Sequence, residues 1–572
     1  MLVKHTLAKK SIEKEVNNAS FLLTNNSGGY CLFGEPRSRY NGTYIYFEDL
    51  YRIIAEIFHD EKIIEINNKF NKIERKRESF TETFVMPHSS KTFVYKTDIN
   101  KRVQLHLDVK KSFDNRQFGR YYSVEQEKDL IIIKYEKQND EKEKLGNEYQ
   151  VYVVIKCNNP EFIKNWYVEK YPVDKERGSK PFDRHVYNLL ECDSKEIIVT
   201  AHHDKQKAID ELQKKIKVSK HCKYFEQENL ELSFAYSCAK NSLNSLVNKI
   251  KEDYGLFAGL PWFFQFWTRD EAISCNTLKN KTEILLRQIS NILPDGRIPN
   301  IRLHSYPGSP NASADGVGWS FFRLSQIKLT KKEKAFVKQQ IEASISRLLE
   351  HKTKDKFAIN APLETWMDTG INDVRDNACI EINALRCAMY KFAYRLTKDE
   401  KYKQLQRELH DLIRNRFWNE KYLADRLNDF TKRPNVFIAA YVYPELLSKE
   451  EWKSCFNEII PALWLEWGGL STIDKSNPLF TDTYSGENPI SYHRGDSWYW
   501  INNLAALMMH KIDKDEFSDY IEKIKFASMN EILWSGFIGH GGELTSAKHN
   551  SSEASLCQAW SNAMFIELID MS

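Results

Sequence analysis

The stretch Leu260 to Ser274, LPWFFQFWTRDEAIS, puts five aromatic side chains directly ahead of adjacent opposite charges, Arg269 and Asp270. Aromatic rings stack on the apolar faces of sugar rings, and a fixed Arg–Asp pair can grip neighbouring hydroxyls as donor and acceptor. Taken alone, the same residues also suit a core aromatic cluster with a structural ion pair. Four further stretches share the composition: LPDGRIPN…SADGVGWSFFR, LETWMDTG…IEINALR, SYHRGDSWYWINN and GHGGELTSAKHNSSEASLCQAWS. A surface loop has no reason to expose so many rings, and a core does not take so many unpaired charges. A pocket needs both.

These stretches must be carried by a scaffold, and its composition sets limits. The chain has 572 residues, 42% hydrophobic and 28% charged, which describes a folded chain of two or three domains. Net charge is +4 on 83 basic and 79 acidic residues, so no nucleic-acid partner is implied, and a neutral ligand needs no electrostatic funnel. The N-terminus lacks the apolar core of a signal peptide, and no run approaches a membrane span. Ten cysteines are scattered singly, with no CxxC and no zinc spacing, so no metal or cofactor is indicated and a reducing, cytoplasmic setting is expected.

Residues 1–215 read as β-structure. TYIYFEDLY, KTFVYKTDI, RVQLHLDVKK, DLIIIKYEKQ, YQVYVVIKC and KEIIVTAHHD alternate in polarity or are rich in Val, Ile and Tyr. Many short strands predict an antiparallel β-sandwich, with Gly28-Gly29 at a turn between two apolar runs. A charged helical stretch from about Lys205 to Lys220 reads as the connector, with a helical linker set at 216–227. From 228 to 572 the period becomes helical, with room for about a dozen helices. Nested as six hairpins, they would leave a pocket at one end, fed by every long loop.

In order, these stretches resemble the catalytic domain of the amylo-α-1,6-glucosidase part of glycogen-debranching enzymes, in its short bacterial and archaeal form, a relative of glucoamylases. PWFFQFWTRDEAIS resembles the family's aromatic–WxRD signature, LETWMDTG its TWMD motif and IEINALRCAMY its VEINALW helix. KRPNVFIAAY resembles its RPNQ segment, SYHRGDSWYWINN its YHRGxxWPW loop, and GGELTSA…SLCQAWS its PEL…QAWS stretch. SFLLTNNSGGY is similar, more weakly, to the N-terminal domain of the short members. The fold this implies is an (α/α)6 toroid catalytic domain, mainly α, preceded by the sandwich.

The implied chemistry is inverting glycoside hydrolysis at a chain end of an α-glucan such as glycogen, dextrin or a maltooligosaccharide. One carboxylic acid protonates the leaving oxygen while a second carboxylate deprotonates water on the opposite ring face. The motif match makes Asp368 the acid and Glu543 the base, with Glu364 and Glu553 as nearby substitutes. The acid must hold its proton near neutral pH, which the apolar wall of Trp366 and Met367 could secure by desolvation. Arg269 and Asp270 match the pair that holds the terminal glucose; Trp267, Trp366, Trp319 and Trp560 are lining candidates; Asp315, His493 and Arg494 could bind further hydroxyls. The residue types alone leave Trp319 and Trp366 open between sugar wall and core packing, and His493 open between pocket and core. Glu381 and Asn383, at i and i+2 on a helix, face different ways, so at most one reaches the pocket.

The chain departs from the pattern with Gly542 where Pro precedes the base, and Tyr499 where the HRG loop has Pro. It also lacks the long barrel that performs glucan transfer in large debranching enzymes. Competing readings are a glucoamylase- or trehalase-type α-glucosidase, a glycoside phosphorylase with phosphate replacing the base and its water, and a glucan-binding pseudoenzyme. Linkage preference and oligomeric state are not written in the sequence.

Overall fold

Two twenty-residue strands, Thr92–Lys111 and Asp183–His202, run antiparallel as the spine of a 15-stranded hydrogen-bonded network. Their register shifts between Lys96 and Lys101, so the halves of each strand recruit different neighbours. The first half of Thr92–Lys111 pairs with Thr81–Val85 and the second with Leu50–Phe58. KTFVYKTDI and RVQLHLDVKK are therefore one bulged strand rather than two. From Thr81–Val85 the order runs outward through Ile73–Arg77, Ile63–Asn68, Leu2–Leu7 and Lys10–Glu15. Leu2–His5 lies parallel to Glu65–Asn68, an exception to the antiparallel expectation. Ala19–Thr24 and Tyr30–Glu35 form a hairpin whose turn holds Gly28 at φ 86°, and a Cβ there would meet the Tyr46 ring at 2.7 Å. Inside, Asp108 is ringed by Arg52, Arg120 and Arg184 at 2.8–2.9 Å; burial opposes its charge, but the three guanidiniums hold its pKa well below the usual carboxylate range.

Twelve α-helices follow among the described residues from Leu230 onward. Six of them, Thr268–Ser274, Gly316–Ser325, Ile380–Thr397, Asn435–Val442, Tyr499–Asp513 and Ala559–Ile569, form a closed ring. Each packs on the next, and the last returns to the first. They are buried along most of their length, the first with Arg269, Asp270 and Glu271 among its buried residues. In the chain they alternate with amphipathic helices such as Glu400–Phe417, which buries only Tyr402, Leu409, Ile413 and Phe417. A two-residue strand, Gly259-Leu260, pairs with Cys557-Gln558 and so ties the start of the ring to its end.

The computed structural model describes residues 1–214, 216, 222–302, 312–369 and 374–571. Two compact units emerge. One comprises Met1–Asn241, Ser245–Asp253 and Ile532–Gly539; the other comprises Ser242–Asn244, Tyr254–Glu531 and His540–Ser572. The Lys205–Gln213 helix matches the start of the charged connector, whose continuation at 215 and 217–221 lies outside the described residues, as does Gly370 of LETWMDTG. Residues 222–227 carry no helix. No helix of the described residues is long and apolar enough to cross a membrane.

Candidate active site

The sequence-predicted site residues sit at the N-terminal ends of five of the six ring helices or in the segments that lead into them. Trp267 precedes the first helix, with Arg269 and Asp270 in its opening turn, and Asp315 precedes the second. Asp368 lies ahead of the third, His493 and Arg494 ahead of the fifth, Glu543 ahead of the sixth, and Trp560 in its first turn. None of the six has a cap from the side chain of its own N-cap residue, although in the second Ser313 Oγ accepts from the Gly316 amide at 3.2 Å. Three intervening helices do, through Thr330, Asp399 and Ser448. The first amides of the first, third, fifth and sixth ring helices donate instead to backbone carbonyls from elsewhere in the chain, those of Asn300, Asp425, Glu543 and Ala258.

Arg269 connects three of these ends. Its Nε donates to both oxygens of Asp315, at 2.9 and 2.8 Å, and its Nη1 lies 3.6 Å from Asp368. Burial would lower the Arg269 pKa, but the charges of Asp315 and Asp368 override it and raise it. Asp368 leaves 39% of its side chain exposed and has His493 Nε2 3.7 Å away on its other oxygen. Glu543 is only 2% exposed. Tyr492 donates its hydroxyl to Glu543 Oε1 at 2.6 Å, and the Ser555 amide donates to Oε2 at 3.0 Å.

Asp270 makes one long contact, from Gln558 Nε2 at 3.4 Å. Burial raises its pKa to about 8; Arg269 opposes this, while the charges of Glu543 and Asp368 add to it. Burial also drives the Tyr492 hydroxyl well above its ordinary range, again with help from Glu543 and Asp368. The two carboxylates assigned as acid and base therefore act on the same two neighbours, although they stand far apart in sequence.

Residues 240–567, more than half of the chain, match the family model described as amylo-alpha-1,6-glucosidase. The chain belongs to this family. It is accordingly a glycoside hydrolase. No curated protein sequence matches it. Among solved structures it is similar to a bacterial glucoamylase complexed with acarbose, at TM-score 0.61 and 11% identity, over 97% of this chain and 95% of that one. It is also similar to the GH63 mannosylglycerate hydrolase from Thermus thermophilus in complex with Tris. That match has TM-score 0.44 and 12% identity, over 59% of this chain and 100% of that one.

Within this amylo-α-1,6-glucosidase family member the aromatic candidates separate. Trp366 is buried, donates Nε1 to Asn435 at 2.7 Å, and meets His493, Trp498 and Trp500 edge-on. Trp560 stacks on Trp500 at 5.0 Å and its Nε1 has no hydrogen-bond partner among the described residues. Trp267 is half-buried, with Nε1 on Gln265. Trp319 packs against Phe322 and Tyr441 and belongs to the ring core. His493 stacks on Trp498 at 5.1 Å, its ring nitrogens carry no hydrogen bond among the described residues, and burial lowers its pKa, so Asp368 faces a neutral imidazole. The Arg494 side chain is buried and has no hydrogen bond or ion pair among the described residues.

The substitutes are committed elsewhere. Glu364 pairs with Arg297 at 2.5 Å and accepts from the Ala361 amide, while Glu553 binds Leu544 through its backbone and accepts from Ser551 at 3.4 Å. Glu381 is locked to Arg375 at 2.7 and 3.0 Å, and Asn383 bonds the Ala358 backbone.

Sequence reasoning missed four supports. Tyr492 and Ser555 hold Glu543, and Arg375 bridges Thr365, Glu381 and Asp425 under the TWMD segment. Glu531, fully buried, accepts from the Gly542 amide and the Ser552 hydroxyl, both at 2.9 Å. Tyr492 could have been found from its place beside His493. The other three carry no local signal.

Proposed function

We propose that this chain is an exo-acting, inverting glycosidase that releases glucose from α-1,6 branch stubs, α-1,4 ends, or both, of glycogen-like α-glucans. The observation that supports this best is the shared surroundings of Asp368 and Glu543. One carboxyl is open and flanked by Arg269 and His493; the other is buried with both oxygens accepting hydrogen bonds. In the proposed step Asp368 gives its proton to the glycosidic oxygen as the bond from the anomeric carbon breaks. Glu543 takes a proton from water, whose oxygen attacks that carbon from the opposite face. The glucan leaves with a new hydroxyl, glucose leaves inverted, and exchange with solvent returns the proton to Asp368. Arg269 and Asp270, deep in the site, hold the terminal ring, so only a chain end reaches the acid.

On this reading the closed helix ring is an (α/α)6 toroid and residues 1–215 a β-sandwich, joined through 216–227. Ten unpaired cysteines support a reducing, cytoplasmic setting. The test is to incubate the protein with isomaltose, panose, maltotriose and a branched dextrin, following the released anomer by NMR. β-Glucose should appear first; α-glucose first would refute inversion, and no glucose from any substrate would refute the whole reading. Asp368→Asn and Glu543→Gln should each lose about a hundredfold or more in turnover, the scale of removing acid–base catalysis.

A further inference from the structure

The sheet unit contains a cavity of about 360 Å³ that plays no part in the proposed reaction, lined by Phe33, Glu56, His59, Arg75 and Arg77 among others. Three strands, Tyr30–Glu35, Leu50–Phe58 and Ile73–Arg77, carry Phe33, Glu56, Arg75 and Arg77, so these side chains stand on regular backbone. Glu56 is 7% exposed and accepts no hydrogen bond among the described residues. Arg37 Nε lies 3.4 Å from it but donates to Glu35, and the Arg75 charge also acts on it. Burial accordingly pushes the Glu56 pKa up. Arg75 spends Nε and Nη2 on Glu82, at 2.5 and 2.9 Å, leaving Nη1 unbonded within the protein. Arg77 spends Nε on Glu82 at 2.7 Å and Nη1 on the Glu61 carbonyl, leaving Nη2 unbonded. Both arginines are more than nine-tenths buried. His59 is tied through Nε2 to Tyr95 at 3.1 Å, and burial lowers its pKa to about 4, so it is neutral.

Buried polar groups in folded proteins are nearly always hydrogen-bonded, and an orphaned charged group is costly. Here an acceptor carboxyl, two guanidinium donors and a neutral imidazole turn their unused valences into one cavity beside the Phe33 ring. A phosphate or carboxylate would satisfy the arginines but oppose Glu56. A cation would do the reverse, and an apolar ligand would satisfy none of them. A neutral ring with hydroxyls on its edge and C–H bonds on its face satisfies all of them, and the volume lies within the range of small-molecule sites. We propose that the sheet unit carries a second sugar-binding site, in which Glu56, Arg75 and Arg77 hold one glucosyl unit. The cavity's polarity argues for a neutral sugar by itself; that the sugar is a glucosyl rests on the proposed function.

The test is calorimetric titration of the full chain carrying Asp368→Asn, with maltotriose and isomaltose as ligands and myo-inositol and inorganic phosphate as comparators. Two sugar-binding events are expected. Adding Glu56→Ala should weaken one at least about tenfold, the scale of a hydrogen bond to a charged group. Ile63→Trp, which fills the cavity from its partly exposed rim, should remove the same event, with thermal unfolding checking that both variants fold. Arg269→Ala should remove only the other event, so failure of the catalytic reading and failure of this one are separable. A single event indifferent to Glu56→Ala and Ile63→Trp would overturn the proposal. So would phosphate binding that strengthens in Glu56→Ala with no sugar bound there.

Discussion

Asp270 is buried beside two other carboxyl groups, and burial holds its proton up to about pH 8 against the pull of Arg269. A protonated carboxyl donates one hydrogen bond and accepts another, which is also what an asparagine amide offers. Asp270→Asn should therefore keep a KM near wild type at about pH 6 to 7, whereas Asp270→Ala should raise it by about tenfold or more. Above about pH 8 the wild-type KM should climb, because ionised Asp270 loses its donor and adds negative charge beside Glu543. The Asn variant should stay flat across the same range. KM–pH profiles of the three proteins on maltotriose decide it: equal losses in Asn and Ala would show that Asp270 binds sugar as a carboxylate. That Asp270 belongs to the proposed site was an expectation drawn from its place after Arg269 in an aromatic run. Its protonation was not, because the two charges that sustain it arrive from residues 368 and 543. Nor was the use of Tyr492 as donor to Glu543, which depends on two loops meeting in space.

Among elements, the contrast between capped and uncapped helices was half legible. Thr330 with Glu333 and Ser448 with Glu451 form capping boxes of the kind sequence spacing announces. The ring helices that begin at Trp, Cys, Pro or Gln carry no such announcement, and at Thr268, Ile380 and Ala559 the first amide donates to a distant backbone carbonyl instead. The arm carrying Glu543 shows what replaces a cap. Glu543 N–H bonds Ser555 O at 2.7 Å, Glu553 N–H bonds Leu544 O at 2.9 Å, and Glu531 clamps both arms through Gly542 and Ser552. The glycine that departs from the family's proline is thus in use: proline has no N–H to give Glu531, and any Cβ would approach its Oε1 to 2.7 Å. Gly542→Pro, though it restores the family pattern, should cost about 1–3 kcal/mol in denaturant unfolding, the scale of a buried acceptor losing its donor. It should lower kcat more than it raises KM, since the base moves while the Arg269 grip remains. An unchanged kcat would mean that the clamp serves folding alone.

At the scale of the molecule, helical periodicity after residue 228 announces about a dozen helices, but not which six close on themselves. Closure rests on pairings such as Gly259-Leu260 with Cys557-Gln558, made by residues whose types suggest no strand. The closed ring buries acids with the apolar helices around them, and the cost appears as proton linkage. Glu531 has its pKa raised to about 8 by burial, only partly opposed by Ser552 and the Gly542 amide, whereas an unfolded glutamate titrates near about 4.3. Between those values the folded chain holds a proton that the unfolded chain has released, so the Glu531 contribution to stability falls as pH rises from about 4 to about 8. Glutamine keeps an oxygen for Gly542 and Ser552 but does not titrate. The melting temperature of Glu531→Gln relative to wild type should accordingly rise from about pH 5 to about pH 8 and level off above. Half the nominal shift is on the order of 2 kcal/mol, a few degrees for a unit this large. A difference independent of pH would show that Glu531 is ionised in the folded protein, and that the clamp on the Glu543 arm is a charged one.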